Sequence, residues 1–239
     1  MRRVGILGGM GPEATVLLMR KVIAATPAAD DADHIPLIVD QNPQVPSRLR
    51  YLLEGTGDDP APVLADMARR LTAAGAQALA MPCNTAHHFA GAIRAASPLP
   101  FLDMVALSAA HARDRARAGA IVGVLASPAV RRIGLFDRAL ATHGLTAAYA
   151  DDAPLLAAIR AIKAQGATPA ARDAMRDASD QVIRAGAAVQ MIACTELSLV
   201  AEAVAPQIGA FDTLDILTSA ILSFARNEAQ AIPGGRPGS

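Results

Sequence analysis

The stretch RVGILGGMGPEAT, residues 3 to 15, decides how this 239-residue chain begins to fold. A short aliphatic run ends in glycines, and a helical pattern then opens with Pro12 at its first position and Glu13 in its first turn. Proline at the first helical position and an acidic residue in the first turn are both helix start signals. The stretch therefore predicts a β-strand, a glycine loop and an α-helix, which together open a βαβ unit.

The same alternation of short aliphatic runs and longer helical patterns continues along the chain. Strands are predicted over residues 3–9, 35–41, 76–82, 98–105, 119–127, 146–150 and 187–194. Helices are predicted over residues 12–26, 60–74, 130–144, most of 153–185 and 216–230. A long loop is predicted over 43–59, and the tail 232–239 is predicted to be disordered. Strands that alternate with helices indicate parallel sheets built from βαβ units.

The pattern restarts near residue 119, which indicates two similar halves. VGILGGMG at 4–11 is echoed by VGVLASPA at 122–129, and LAMPCNT at 79–85 is echoed by QMIACTE at 190–196. Each half therefore carries a loop after its first strand and a cysteine at the end of a later strand. A chance echo in an alanine-rich chain is the alternative to a duplication.

Composition argues against several classes of protein. The formal net charge is zero and aromatic residues make up 3% of the chain, which does not fit a nucleic-acid-binding surface. No apolar run approaches the ~20 residues of a membrane span, and the N-terminal apolar run is too short for a signal peptide. We therefore expect a cytoplasmic protein that binds neither nucleic acid nor membrane. In that compartment its two cysteines are expected to be reduced.

Cys83 and Cys194 are the only cysteines, and each is predicted to stand where a strand gives way to a helix. Ligands of open α/β sheets bind beyond the carboxyl ends of the strands, where helix-start amides favour a thiolate. Asn84, Thr85 and Thr195 add side-chain donors for a carboxylate. Two buried structural cysteines are the alternative, since cysteine is often fully buried. The matching contexts in the two halves favour a functional pair.

The glycine loop also matches a dinucleotide-binding pattern. Gly9-x-Gly11-x-x-Ala14 fits the fingerprint, whose confirming acidic residue should follow about 20 residues on. Asp40 ends the second predicted strand but lies 29 residues past Gly11. A loop whose backbone amides receive a different anion at the helix N-terminus is the interpretation that we favour.

Histidines and lysines offer weaker alternatives. His87 and His88 are adjacent and face different sides of a helix, so no metal pair is predicted, and surface histidines are the default interpretation. Cys83 with His87 could form the pair of a cysteine hydrolase. Lys21 or Lys163 could carry pyridoxal phosphate, but no phosphate-binding sequence accompanies them. Neither a metal nor a cofactor is predicted.

Six motifs carry a resemblance that runs from end to end of the chain. They are GILGGMGPEAT at 5–15, NPQVPSR at 42–48, MPCNTAHHF at 81–89, IKAQG at 162–166, CTEL at 194–197 and FDT at 211–213. With these motifs the sequence resembles the aspartate/glutamate racemase superfamily, most closely its aspartate racemase branch. Glutamate racemases typically have a histidine two places after the second cysteine, where this chain has Glu196.

The resemblance implies a particular architecture. It implies an α/β fold of two similar domains with parallel-sheet cores and flanking helices, related by a pseudo-twofold axis. The active site is expected in the cleft between them. We assign residues 1–103 plus 210–239 to the N-terminal domain and 104–209 to the second. The resemblance also implies racemisation without a cofactor, an amino acid as the substrate and a homodimer as the common assembly.

The resemblance further implies roles for individual residues. Cys83 and Cys194 are the implied acid/base pair, with one thiolate removing the Cα proton and the opposite thiol delivering another. Cys83 would act on the D-substrate and Cys194 on the L-substrate. The implied substrate-binding residues are Met10, Arg48, Asn84, Thr85, Ser127, Lys163 and Thr195. Of these, Asn84, Thr85 and Thr195 would hold the α-carboxylate, and Arg48 and Lys163 the distal carboxylate. Ser127 stands where the family often has threonine.

We therefore predict a racemase that interconverts L- and D-aspartate. A glutamate-acting or broad-specificity racemase of the same fold is the main alternative. Relatives that isomerise or decarboxylate small diacids often lack one cysteine, so the presence of both favours racemisation. A two-domain binding protein of the periplasmic type is a non-catalytic alternative, and a nucleotide-dependent oxidoreductase would rest on Gly9 and Gly11 alone.

Overall fold

The strand of the opening stretch lies at the centre of the first of two sheets. The structure is a computed structural model that describes residues 1–227. The first sheet is parallel, has the order β2-β1-β3-β4, and consists of β1 (Val4–Gly8), β2 (Leu37–Gln41), β3 (Ala78–Ala80) and β4 (Phe101–Leu102). All five residues of β1 are buried, as a central strand covered by helices on both faces requires. The predicted strand, glycine loop and helix at the start of the chain are confirmed.

The helices around the first sheet are α1 (Pro12–Ala25), α2 (Ala61–Ala73) and α3 (Ala90–Ala96). The prediction of an uninterrupted loop over 43–59 is wrong, because this segment contains a π-helical turn at Arg50–Glu54. The turn ends at Gly55, which adopts the left-handed φ of 65° that favours glycine. The Tyr51 ring of this turn packs on the first domain, with its centroid 5.8 Å from that of the Phe89 ring.

The second sheet repeats the first. It is parallel, has the equivalent order β6-β5-β7-β8, and consists of β5 (Ile121–Ala126), β6 (Thr146–Tyr149), β7 (Ala187–Ala193) and β8 (Ala210–Asp212). Its helices are α4 (Met104–Arg115), α5 (Pro128–Arg132), α6 (Leu135–Ala141), α7 (Asp152–Gln165) and α8 (Pro169–Arg184). The predicted fold class of two similar parallel α/β domains is confirmed, and the repeated strand order supports a duplicated origin.

Two predicted elements differ from the structure. The single helix expected over 130–144 is two short helices, because Gly134 between them adopts a left-handed φ of 58°. The fourth strand, expected over 98–105, is limited to β4, since Asp103 ends it and begins α4. The Asp103 carboxylate accepts hydrogen bonds from the backbone N–H groups of Val105 and Ala106, both at 3.0 Å. Such an N-terminal cap stabilises the helix start.

The last described segment crosses between the two domains. The sequence-based boundary groups residues 210–239 with the first domain, but β8 is paired with β7 of the second sheet. α9 (Thr213–Arg226) then buries Leu214, Leu217 and Ile221 in the core of the first domain. Residues 228–230 of the predicted last helix and the tail 232–239 lie outside the described residues. Among residues 1–227, no helix combines the length and apolar character needed to cross a membrane.

Asp212 marks this crossing with a buried carboxyl group. Its Oδ1 accepts a 2.8 Å hydrogen bond from Leu214 N at the start of α9. Burial raises the pKa of Asp212 to about 6 despite that hydrogen bond. The folded state therefore binds more protons than the unfolded state between about pH 4 and pH 6. Stability contributed by this group is thus lost as pH rises through that window.

We expect Asp212→Asn to be more stable than the unmodified protein at pH 7, by up to about 3 kcal/mol, because an amide keeps the cap without a buried charge. The difference should shrink towards pH 4, where Asp212 of the folded state is protonated and no longer carries a buried charge. Urea unfolding followed by circular dichroism between pH 4 and pH 7 measures it. A destabilised variant at pH 7, or a difference that grows on acidification, would contradict this sign.

Candidate active site

A small cavity of about 40 Å³ lies between the two domains. The first domain lines it with Met10, Ser47, Arg48, Leu49, Cys83 and Thr85. The second domain lines it with Ser127, Ile159, Lys163, Cys194 and Glu196. The two cysteines, distant in sequence, therefore line one cavity from opposite domains.

Equivalent strands place the two cysteines. Cys83 follows β3 and Cys194 follows β7, and each of these strands is the third in the order of its sheet. Carboxyl ends of parallel strands share one edge of the sheet, where ligand sites form. Both side chains are free thiols and 7% exposed. A short 3-10 helix follows each cysteine, at Thr85–Phe89 and Leu197–Ala203.

The charges of Glu196 and Lys163 act on the Cys194 thiol. Its Sγ donates a hydrogen bond to Glu196 Oε2 at 3.2 Å, and Lys163 Nζ lies 3.2 Å from the other oxygen, Oε1. Burial, followed by the negative charge of Glu196, raises the pKa of the Cys194 thiol well above its usual range. The expectation that helix-start amides favour a thiolate is therefore wrong for Cys194. This residue rests as a thiol with a carboxylate ready to accept its proton.

Glu196 is the site residue that the sequence analysis missed. From the sequence, Glu196 only separates two branches of a superfamily, whereas in the structure it lines the cavity and contacts Cys194 directly. Its position two residues after the cysteine is the available signal, since Thr85 stands two residues after Cys83 and also lines the cavity. Thr85 Oγ1 lies 3.2 Å from Ser127 Oγ, so this pair links the two domains beside the first thiol.

His87 is buried rather than on the surface, which corrects the default interpretation of the histidines. The backbone N–H of Met104 donates to His87 Nε2 at 3.2 Å, so Nδ1 carries the proton and donates to the Cys83 carbonyl at 2.8 Å. Burial lowers the pKa of His87, which keeps the ring neutral. Both ring nitrogens are thus engaged with the backbone. The cysteine hydrolase pair considered for Cys83 and His87 is not formed.

The remaining predicted substrate residues divide into two groups. Met10, Arg48, Thr85, Ser127 and Lys163 line the cavity together with the cysteines. Asn84 and Thr195 are not among the lining residues and are 2% exposed. The Asn84 amide turns to α9, where its Nδ2 donates to Thr213 Oγ1 at 3.0 Å.

Arg48 lines the cavity but is folded onto its own loop. Its Nη1 donates to the carbonyls of Val45 and Pro46, at 3.0 and 2.7 Å. Its Nε is buried with no hydrogen-bond partner among residues 1–227. The guanidinium therefore keeps a donor available for an acceptor that enters the site.

A larger cavity of about 410 Å³ adjoins the small one, since Ser47, Arg48, Lys163 and Glu196 line both. It extends past the glycine loop to the start of α1. Gly9 is fixed by packing, because its φ is +90° and a Cβ there would lie 2.4 Å from the backbone of Asn42. This close approach accounts for Gly9 without a nucleotide.

Within the part of the chain that the structure describes, no three His, Cys, Asp or Glu side chains come close enough together to hold a metal ion. The titratable groups of the cavity are the two thiols, Arg48, Lys163 and Glu196. They can bind an anion and exchange protons with it, which is acid/base chemistry.

The fold and the cavity define a class: two-domain α/β proteins with one thiol from each domain at a shared interdomain site. The sequence profile of the Asp/Glu/Hydantoin racemase family matches residues 7–221. The chain belongs to this family, which confirms the resemblance seen in the motifs.

Solved structures share the fold. The aspartate racemase of Picrophilus torridus matches with a TM-score of 0.84 at 24% identity, over 95% of both chains. An aspartate racemase homologue from Pyrococcus horikoshii matches with a TM-score of 0.73 at 20% identity, over 95% of this chain and 100% of the other. The glutamate racemase of Francisella tularensis, solved with D-glutamate, has a TM-score of 0.68 at 14% identity, over 99% of this chain and 85% of the other.

Glu196→Gln removes the negative charge that faces Cys194, and we expect the pKa of the thiol to fall. The pH profile of Cys194 alkylation by iodoacetamide, followed by peptide mass spectrometry, should shift to lower pH. Glu202→Gln is the matched control, because Glu202 lies in the same 3-10 segment but forms a surface ion pair with Arg172. A Cys194 profile that is identical in the unmodified protein and in Glu196→Gln would contradict the electrostatic role of Glu196.

Proposed function

We propose that this chain is an aspartate racemase that works without a cofactor, using Cys83 and Cys194 as its two bases. One observation carries the proposal: the only two cysteines line the same cavity from opposite domains. Racemisation requires removal of the Cα proton from one face and delivery of a proton to the other. Two opposed thiol groups meet that requirement directly.

The reaction begins with one cysteine as thiolate and the other as thiol. When Cys83 is the thiolate it removes the Cα proton, and the Cys194 thiol gives its proton to the opposite face. The reverse direction starts with Cys194 as thiolate and Cys83 as thiol. To reach that state from the resting one, Cys194 gives its proton to Glu196 Oε2, 3.2 Å away, and Cys83 takes a proton from solvent. Lys163 beside Glu196 compensates the carboxylate charge. The raised pKa of Cys194 supports its role as the resting proton donor.

The deprotonated intermediate carries extra charge on the α-carboxylate, which preorganised donors must stabilise. Thr85, Asn84 and Thr195 are the proposed donors. Ser127 and Met10, which line the cavity, are proposed to contact the substrate as well. Arg48 and Lys163 are proposed to bind the distal carboxylate, Arg48 through its planar fork. Arg48 adds a positive charge to the cavity beyond the Lys163–Glu196 ion pair, which favours a diacid over a neutral amino acid.

We expect substrate to widen the site as it enters, because the cavity between the two thiols, about 40 Å³, is small beside the adjoining one. The adjoining 410 Å³ cavity provides the direction of entry, past Ser47 and Arg48. Release of Arg48 from the Val45 and Pro46 carbonyls would free its guanidinium for the distal carboxylate.

Aspartate is the proposed substrate rather than glutamate because Glu196 occupies the position where glutamate racemases typically have histidine. A glutamate or broad-specificity racemase is the second candidate, favoured by the fold shared with the Francisella tularensis enzyme. We also propose a homodimer, which the family resemblance implies, and a cytoplasmic location.

The test is D/L interconversion of aspartate, glutamate, alanine and serine, followed by chiral chromatography. We expect aspartate to be racemised fastest. Cys83→Ala and Cys194→Ala should each lose activity by at least about 10²- to 10⁴-fold, since each removes one proton-transfer group. Circular dichroism should show that both variants remain folded.

Three outcomes would redirect the proposal. Full activity in either cysteine variant contradicts the two-base mechanism. Activity on glutamate without activity on aspartate selects the second candidate. Tight aspartate binding without any exchange of the Cα proton in heavy water would instead support a binding protein.

A further inference from the structure

The FDT motif at 211–213 lies outside the cavity, yet two of its residues are buried and polar. Asp212 is 5% exposed and Thr213 is fully buried. Thr213 Oγ1 accepts the 3.0 Å hydrogen bond from Asn84 Nδ2. Asn84 directly follows Cys83, so Thr213 contacts the segment that carries the first thiol.

The same motif is fixed to the strand that carries the second thiol. Asp212 ends β8 and is paired in register with Ile192 of β7, two residues before Cys194. Thr213 is the next residue and begins α9, which packs into the core of the first domain. Asp212 and Thr213 are adjacent in the chain. Asp212 is paired with the strand that precedes Cys194, and Thr213 is hydrogen-bonded to the residue that follows Cys83. These two residues therefore connect the two segments that carry the cysteines.

The Nδ2 atom of Asn84 is hydrogen-bonded, whereas its Oδ1 atom is buried without a hydrogen-bond partner among the described residues 1–227. A threonine hydroxyl both donates and accepts, so it can hold the amide in either orientation. With the amide reversed, the hydroxyl donates to Oδ1, and the two Nδ2 protons point where an acceptor is lacking. In that orientation the Asn84 amide offers two donors for a carboxylate, although Asn84 does not line the cavity before substrate enters.

We infer that Thr213 is a positioning residue: its hydroxyl orients the Asn84 amide and holds the Cys83–Thr85 segment in register with the strand end that carries Cys194. This inference rests on the proposed two-base racemisation. In that reaction the two thiols must meet opposite faces of one carbon, and a displacement near 1 Å can cost about 100-fold in rate.

The test compares substitutions that separate the hydroxyl from the rest of the side chain. Thr213→Val keeps the shape and removes the hydroxyl, whereas Thr213→Ser keeps the hydroxyl. Thr218→Val is the matched control, because Thr218 is a buried threonine of the same helix whose hydroxyl donates to its own helix, at Leu214 O. Thermal unfolding shows whether the variants are equally folded. If Thr213→Val does not fold, Thr213→Ala takes its place in the comparison with Thr213→Ser.

We expect kcat of Thr213→Val for aspartate to fall about 10- to 100-fold, with a smaller change in KM. Thr213→Ser and Thr218→Val should retain most of the activity. Slower proton transfer at Cys83 alone makes that step rate-limiting. The kinetic isotope effects of α-deuterated L- and D-aspartate should therefore diverge, rising in one direction and falling in the other. An unchanged kcat, or a loss with both isotope effects unchanged, would overturn the positioning role.

A second readout does not need activity. Alkylation of Cys83 by iodoacetamide should be several-fold faster in Thr213→Val, because the segment is no longer held, and unchanged in Thr218→Val. If the unmodified chain racemises no amino acid, the proposed function fails and this measurement alone decides the inference. A Cys83 rate that is the same in all variants then contradicts it.

Discussion

The position of the two thiols follows from one constraint of parallel sheets. Every strand of such a sheet ends at the same edge, so a side chain that follows a central strand is delivered to that edge. Here the strand order is the same in both domains, and the third strand of each sheet is followed by a cysteine. Because the two edges face each other, equivalent positions become opposite walls of one cavity.

The two thiols nevertheless sit in different electrostatic surroundings. Cys194 faces the Glu196 carboxylate, whereas Thr85 and Ser127 join their hydroxyls beside Cys83. The partly buried Glu196 carboxylate is tolerated next to a buried thiol because the more exposed Lys163 forms an ion pair with it. The duplicated fold thus provides symmetric positions, and the side chains two residues after each cysteine make the two halves chemically distinct.

Local signals were enough to predict the alternation of strands and helices, and the family resemblance named seven of the residues that line the cavity. Pro12 and Glu13 mark the first helix, and the matched contexts of Cys83 and Cys194 place both thiols at strand ends. Contacts between segments that are distant in the sequence could not be predicted from these local signals. Nothing near Asn84 in the sequence indicates that its amide turns to Thr213, and the burial of His87 depends on the backbone of Met104. The break at Gly134 was missed because the apolar pattern continues across it.

Heavy water provides the most direct test of two bases on opposite walls. Racemisation of L-aspartate, stopped at early conversion and analysed by mass spectrometry, separates product from recovered substrate. Delivery of a solvent-derived deuteron by the opposite thiol predicts Cα deuterium in the D-product, with little in the recovered L-substrate. The D-to-L reaction should behave alike. Equal labelling of substrate and product from the start would show that one base serves both faces, and would contradict the pairing of Cys83 with Cys194.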